Sequence, residues 1–198
     1  MLIAAIIASY SLIALQIWYY DIVHIITPFL MPILSGMVWI FFLCTSAWTI
    51  LRWRRYKSGK LFPSILPFAM QLVSFIIVLA VPFSTIMLDL DFRHHLDERE
   101  FLVQEVLSGK LTPNVSHNQS LISLPPEYQH LSKGGGEIIV EQHEENTYIF
   151  FYTYRGVLDN FSGFMYRSDN SIPQDGDFDS VFAEIKAYST NWYWTASN

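Results

Sequence analysis

The side chains in this sequence that could carry chemistry fall in a few short runs beyond residue 90. His94-His95 with Asp97 and Glu98 puts four metal-capable side chains within five positions. Adjacent side chains do not share a helix face, and no second pair follows at ligand spacing, so the run does not make a metal site. Asp97 is better used as a helix cap. His143-Glu144-Glu145-Asn146-Thr147 begins like the zinc-protease motif, but that chemistry needs a second histidine four positions after the first, and threonine stands there. Ser132-Lys133-Gly134-Gly135-Gly136 has the composition of a phosphate cradle. Such loops work by aiming the amides of a helix N-terminus, and here the chain runs on into a strand. The single cysteine, Cys44, lies in an apolar run, and no G-x-S-x-G elbow occurs. These runs leave no catalytic residue, no metal ligands and no cofactor to expect.

The most distinctive stretch is Tyr152 to Arg167, with two arginines, many aromatics and a polar break at Asp159-Asn160. As a binding feature it offers Arg155, Asp159 and Asn160 at a hairpin loop. As structure, Asp-Asn turns the chain while the aromatics fill a core. Near the end of the sequence Trp192 and Trp194 alternate, which would place both on one strand face and within reach of a sugar. A pocket that also gathered His143 or His130 around Arg155 and Asp159 would mark an enzyme instead.

Several elements must position these residues. Asp97 and Glu100 stand at capping-box spacing, Leu96 and Phe101 at hydrophobic-staple spacing, and Gly109 as a stop, which predicts a helix over 98–108. After Gly136 the apolar period falls from 3.6 to 2. Residues 137–142, 147–155 and 161–167 read as strands, with His143 to Asn146 as a turn. Residues 178–188 and 191–195 supply the last elements. The expected fold of this half is a small α+β domain, one helix packed on an antiparallel β-meander.

The other half is written for a different solvent. Of the 198 residues only 15% are charged, and the charges are divided unevenly. Residues 1–88 hold Asp21 and five basic residues; residues 89–198 hold the remaining 17 acidic and 7 basic ones, a net charge of −10. That acidity excludes nucleic acid, since nothing there could neutralise a row of phosphates. Three apolar runs, about 2–20, 33–51 and 66–88, are long enough to read as transmembrane helices. The first ends in Trp18-Tyr19-Tyr20-Asp21, an interfacial belt rather than a signal-peptide cleavage site, so it is expected to be retained. Pro28 and Pro32 mark the link from Asp21 to Pro32 as a turn, and Pro82 a kink. Gln71 reads as a hydrogen bond between helices rather than part of a transport path.

Residues 52–60 carry five positive charges and no negative ones, which places that loop in the cytoplasm and residues 89–198 outside it. A domain of this size without a disulfide fits the inner membrane of a bacterium. The expected organisation is therefore a transmembrane region, 1–88, and an extracytoplasmic α+β domain, 89–198. Functionally this describes a non-catalytic accessory protein, seated in the lipid bilayer, whose outer domain binds another membrane or envelope protein or an envelope component. An envelope enzyme with a site around 143–167, a cell-wall glycan binder and an immunity-type protein are the alternatives.

Overall fold

The computed structural model describes residues 1–27, 29–55, 61–116, 118–156 and 160–197. Five residues of the basic loop, 56–60, and the candidate Asp159 lie outside the described residues. The chain divides into two compact units, Met1–Leu90 and Asp91–Asn198, each considered by itself.

The first unit is helical: α1 (Leu2–Ile17), α2 (Tyr19–Ile26), α3 (Met31–Arg55), α4 (Leu61–Ala80) and α5 (Phe83–His94), which runs on across the division. Helices α1, α3 and α4 pack on one another. The buried stripe of α1 is Ala5, Ala8, Leu12 and Leu15, spaced so that they share one helix face. Ala8 and Leu12 meet Phe42 of α3, with Val38, Trp39, Phe75 and Val78 around them. The small residues on α1 let the backbones approach closely.

Between α3 and α4 sits a buried polar group. The Gln71 amide, 1% exposed, donates to the Thr45 hydroxyl at 2.8 Å and accepts from the Thr49 hydroxyl at 3.2 Å. Both threonines also bond back to carbonyls one turn earlier, which lets a hydroxyl sit inside a helical bundle. Gln71 is thus the interhelical bond its position suggested. Large apolar residues meanwhile cover the outside: Ile3, Ile25, Phe29, Ile40 and Leu79 are each more than half exposed.

The three expected spans are met in part. Among the described residues one helix alone, Met31–Arg54, has the length and apolar character to cross a membrane. The run 2–20 is not one helix: α1 ends at Ile17, and 16 residues rise only about 24 Å. The run 66–88 carries the kink expected at Pro82: the axis bends by 64° between Ile65–Ala80 and Phe83–His94, because proline lacks the amide that would continue the ladder. The link expected as a turn is helical over Tyr19–Ile26, since the prolines come only afterwards.

In the second unit the end of α5 and helix α6 (Leu96–Leu107) accompany a six-stranded antiparallel sheet: β1 (Leu121–Ser123), β2 (Glu137–His143), β3 (Asn146–Arg155), β4 (Phe161–Arg167), β5 (Phe182–Ser189) and β6 (Trp192–Ser197). The order is β1-β2-β3-β4-β6-β5. The meander therefore holds through β4 and fails at the end, where β6 enters beside β4 and pushes β5 to the edge. The reason lies in the residues. Trp192 to Thr195 are all buried and need cover on both faces, whereas β5 carries Glu184 and Lys186 and tolerates an edge.

Residues directly opposite in the register share a face. One face runs through Ile138, Phe151, Phe164 and Trp194, then Val140, Ile149, Tyr166 and Trp192. Phe92 lies on it, 5.0 Å from the Phe164 ring and 5.7 Å from Trp192. The Arg99 guanidinium of α6 lies 4.6 Å above the Phe164 ring, and Leu102, Val103 and Val106 bury the rest of that helix face. The opposite face carries Tyr148, Phe150, Tyr152 and Met165, closed by Phe178 from the loop between β4 and β5. Gly163 lies beneath the Phe150 ring, which comes within 2.5 Å of where a Cβ would stand.

Candidate functional site

The polar side chains of the second unit form separate groups, and each is built by a different piece of the fold. The first is the corner between α5 and α6, where His95 alone joins the helices. The Asp91 carboxylate accepts from Arg99 at 2.6 Å and faces the His95 ring nitrogen at 3.2 Å. Arg99 also donates to the Asp91 carbonyl at 3.2 Å. Burial presses this guanidinium below its ordinary pKa, and Asp91, with Glu98 adding to it, works against that shift. On the outer side His130 meets Glu98 at 3.0 Å, both close to half exposed. The His95 and His130 rings stand 5.1 Å apart.

This corner also corrects the capping expectation. Helix α6 begins at Leu96 with His95 as its N-cap and makes no side-chain cap bond. The His95 amide still bonds to the Asp91 carbonyl, and the Arg99 amide already bonds to that of His95, so one ladder follows the other without a gap for Asp97 to fill. Asp97 sits exposed inside the first turn.

The second group fastens the β4–β5 loop to the sheet. Arg167, 4% exposed, donates to the Asp177 carboxylate and, at 2.5 Å, to the Tyr148 hydroxyl, while its guanidinium lies 3.7 Å over the Tyr148 ring. Tyr148 donates onward to Asp169 at 2.9 Å. Burial raises the pKa of the Tyr148 phenol, and its bond to Asp169 adds to the rise. For Asp169 burial acts to raise the pKa, but the Ser171 amide and hydroxyl, Tyr148 and Arg167 outweigh it and hold the carboxyl at about 2. Asp177 accepts further from the Gln174 amide at 2.9 Å, and Glu141 from the Phe178 amide at 3.1 Å. Phe178 and Asp179 both adopt positive φ, 55° and 52°, a conformation a bulky side chain takes only when its surroundings impose it. Here the aromatic core claims the ring and the ion pairs hold the loop.

The residues singled out from sequence are distributed as follows. Arg155 ends β3, pairs with Glu137 at 2.7 Å and lies 5.0 Å over the Tyr152 ring, with its side chain 36% exposed. Asn160 is exposed at the start of β4, and its carbonyl accepts from the Gly156 amide at 2.9 Å, which closes the loop between them. Trp192 and Trp194 are 1% and 7% exposed. Trp192 packs on Phe92, Phe151 and Tyr166, and the Trp194 indole donates to Thr153 at 3.2 Å. Both serve the core, so neither turns a ring face to solvent.

His143 stands at the opposite end of the β2–β3 hairpin from Arg155 and stacks on Tyr148 at 4.6 Å. Nine residue steps of β3 lie between the two ends, about 30 Å. A single small ligand does not reach both His143 and Arg155. No group of three or more histidine, cysteine, aspartate or glutamate side chains able to hold a metal ion occurs among the described residues.

Sequence reasoning passed over Arg99, Asp91 and Arg167. The available signal was a charged residue inside an apolar pattern: Arg99 stands three and four positions before Leu102 and Val103, and Arg167 ends an otherwise buried strand. A charge in such a place requires a partner. Comparison of the chain with protein-family models, with curated proteins and with solved structures gives no match in any of the three.

Proposed function

We propose that this chain is a membrane-anchored, non-catalytic accessory protein whose Asp91–Asn198 unit binds another membrane or envelope protein. The observation that carries the reading is the inverted character of the helical unit. Its polar side chains Gln71, Thr45 and Thr49 are turned inward and bonded to one another, while isoleucine, leucine and phenylalanine cover its outside. In water that surface would be costly, since each fully exposed apolar side chain forgoes about 1.5–3 kcal/mol of burial; against lipid it is neutral or favourable. On this reading α3 spans alone, α1 with α2 forms the first span, and α4 with the start of α5 forms the third. The cytoplasmic side receives the basic loop, 52–60, and the acidic unit lies outside, in a bacterium beyond the inner membrane.

A binding role rather than catalysis is supported by how the charged side chains are used. Arg99, Arg167, Asp91, Asp169 and Asp177 are engaged in holding corners and loops. The outward-facing candidates for partner contact are Arg155 and Asn160, and Asp159 joins them from its place in the sequence. The test is two-part. The full chain should stay with the membrane fraction through alkaline carbonate extraction, and photo-crosslinker placed at Asn160 should capture one defined envelope protein. Release by carbonate would end the anchoring reading; capture of no protein, with the chain retained, would end the partner-binding reading.

A further inference from the structure

We propose that β5 is a pairing edge for a second copy of this chain, the two β5 strands running antiparallel about a two-fold axis at Ile185. The two ends of the sheet are finished differently. At the β1 end Asn114 occupies the outer side: its side chain donates to the Ser123 carbonyl at 3.0 Å and accepts from the Ser123 amide at 2.7 Å, and its amide bonds to the Leu121 carbonyl. That edge is closed. At the other end β5 pairs with β6 on one side, and among the described residues no strand lies beyond it.

The residues of β5 suit self-pairing in one register. A two-fold axis at Ile185 sets Ile185 opposite its own copy, Glu184 opposite Lys186 of the second chain, and Lys186 opposite Glu184. Opposite charges facing across strands stabilise a pair, and like charges destabilise it. An axis at Glu184 or at Lys186 would instead set like charges face to face. Glu184, Ile185 and Ala187 are exposed, Ile185 at 39%, and Val181 just before the strand is 60% exposed. Lys186 lies along the Tyr188 ring at 4.6 Å.

The pairing is short. Irregularities between Phe182 and Glu184 and between Ala187 and Ser189 confine the regular stretch to Glu184–Ala187, and such bulges limit how far an edge can recruit strands. About an axis at Ile185 the matched residues are the three from Glu184 to Lys186, a ladder of about 10 Å, well below the area of a standard stable interface. The strength of the dimer therefore rests on the anchoring proposed above, which confines both copies to one surface and raises their effective concentration.

The test uses the full chain in native membranes, with Cys44→Ser so that one introduced thiol reports. Under a mild oxidant Ile185→Cys should form a disulfide dimer, because facing residues place their Cα atoms about 4.5–5.5 Å apart. Ala187→Cys should fail alone, being about 14 Å from its own copy. Adding Glu184→Lys should cut the Ile185→Cys yield several-fold, and adding Lys186→Glu to it should restore the yield. Equal crosslinking at 185 and 187, a yield indifferent to the charge swap, or capture of only a different protein would overturn the proposal. Sedimentation of the same sample separates the two readings. A chain that pellets with membranes and does not crosslink fails as a dimer, whereas a chain left in the supernatant fails as an anchored protein.

Discussion

Replacing Arg167 by methionine tests the distinction drawn here between charged residues that hold the fold and those open to a partner. The substitution keeps the apolar stem but removes the guanidinium that Asp177 and Tyr148 bond to and that lies near Asp169. Asp177 then keeps the Gln174 amide but loses its counter-charge in a site where its side chain is 11% exposed. Breaking one partner out of a buried pair costs about 3–5 kcal/mol. Arg155→Met, at the other end of β3, breaks a pair whose side chains are 36% and 24% exposed, worth about 0–1 kcal/mol. Hydrogen exchange of β3 and β4 peptides reads both losses in the intact chain. At about 1.4 kcal/mol per factor of ten, protection should fall roughly two to four orders of magnitude for Arg167→Met and less than about tenfold for Arg155→Met. Adding Asp177→Leu to Arg167→Met should recover part of the loss, since the stranded carboxylate goes with it. Equal losses at the two arginines, or a loss below about 1 kcal/mol at Arg167, would refute the assignment of the Arg167 group as the loop's fastening.

Further outcomes follow from the same geometry. Asp97→Ala should cost only a few tenths of a kcal/mol, from the helix dipole, whereas Asp91→Ala should cost several by stranding buried Arg99; exchange rates across α6 compare the two. Gln71→Leu should lower the stability of the helical bundle by about 0.6–2 kcal/mol, read by titration with a denaturing detergent, with Thr45→Val adding little once Gln71 is gone. Asp169 is held at about 2 against an ordinary value of 3.8. A carboxyl with a depressed folded pKa stabilises above its unfolded value, so its contribution is complete above about pH 4 and is lost as pH falls toward 2; Asp169→Asn should flatten that part of the stability profile.

Strand β2 is legible because a half-buried strand declares itself by alternation, β3 and β4, buried on both faces, by their runs of aromatic and β-branched residues, and the turns by residue type. The β2–β3 turn has its positive-φ residue, Glu144, inside the expected His143 to Asn146. The end of the sheet was not legible from local pattern, because strand order depends on which strand needs cover on both faces. Trp192 to Thr195 held that information jointly with the two charges of β5. The same residues misdirected the site reading: alternating tryptophans suit a binding face and a central strand equally until burial decides. The helix at 98–108 was found but its start was misplaced, because the capping box assumes a chain arriving from a loop, and here it arrives from α5 through His95 alone. Arg167 and Asp177 are ten residues apart across an irregular loop, a spacing no periodic rule marks.

The most direct measurement for the central claim is a pair of reporter fusions to the full chain, one after Lys57 and one after Asn198, using an enzyme active only outside the cytoplasm. Charge bias in residues 52–60 and the apolar outer surface of Met1–Leu90 together predict an inactive fusion after Lys57 and an active one after Asn198. Activity after Lys57 with silence after Asn198, or equal activity at both, would contradict it.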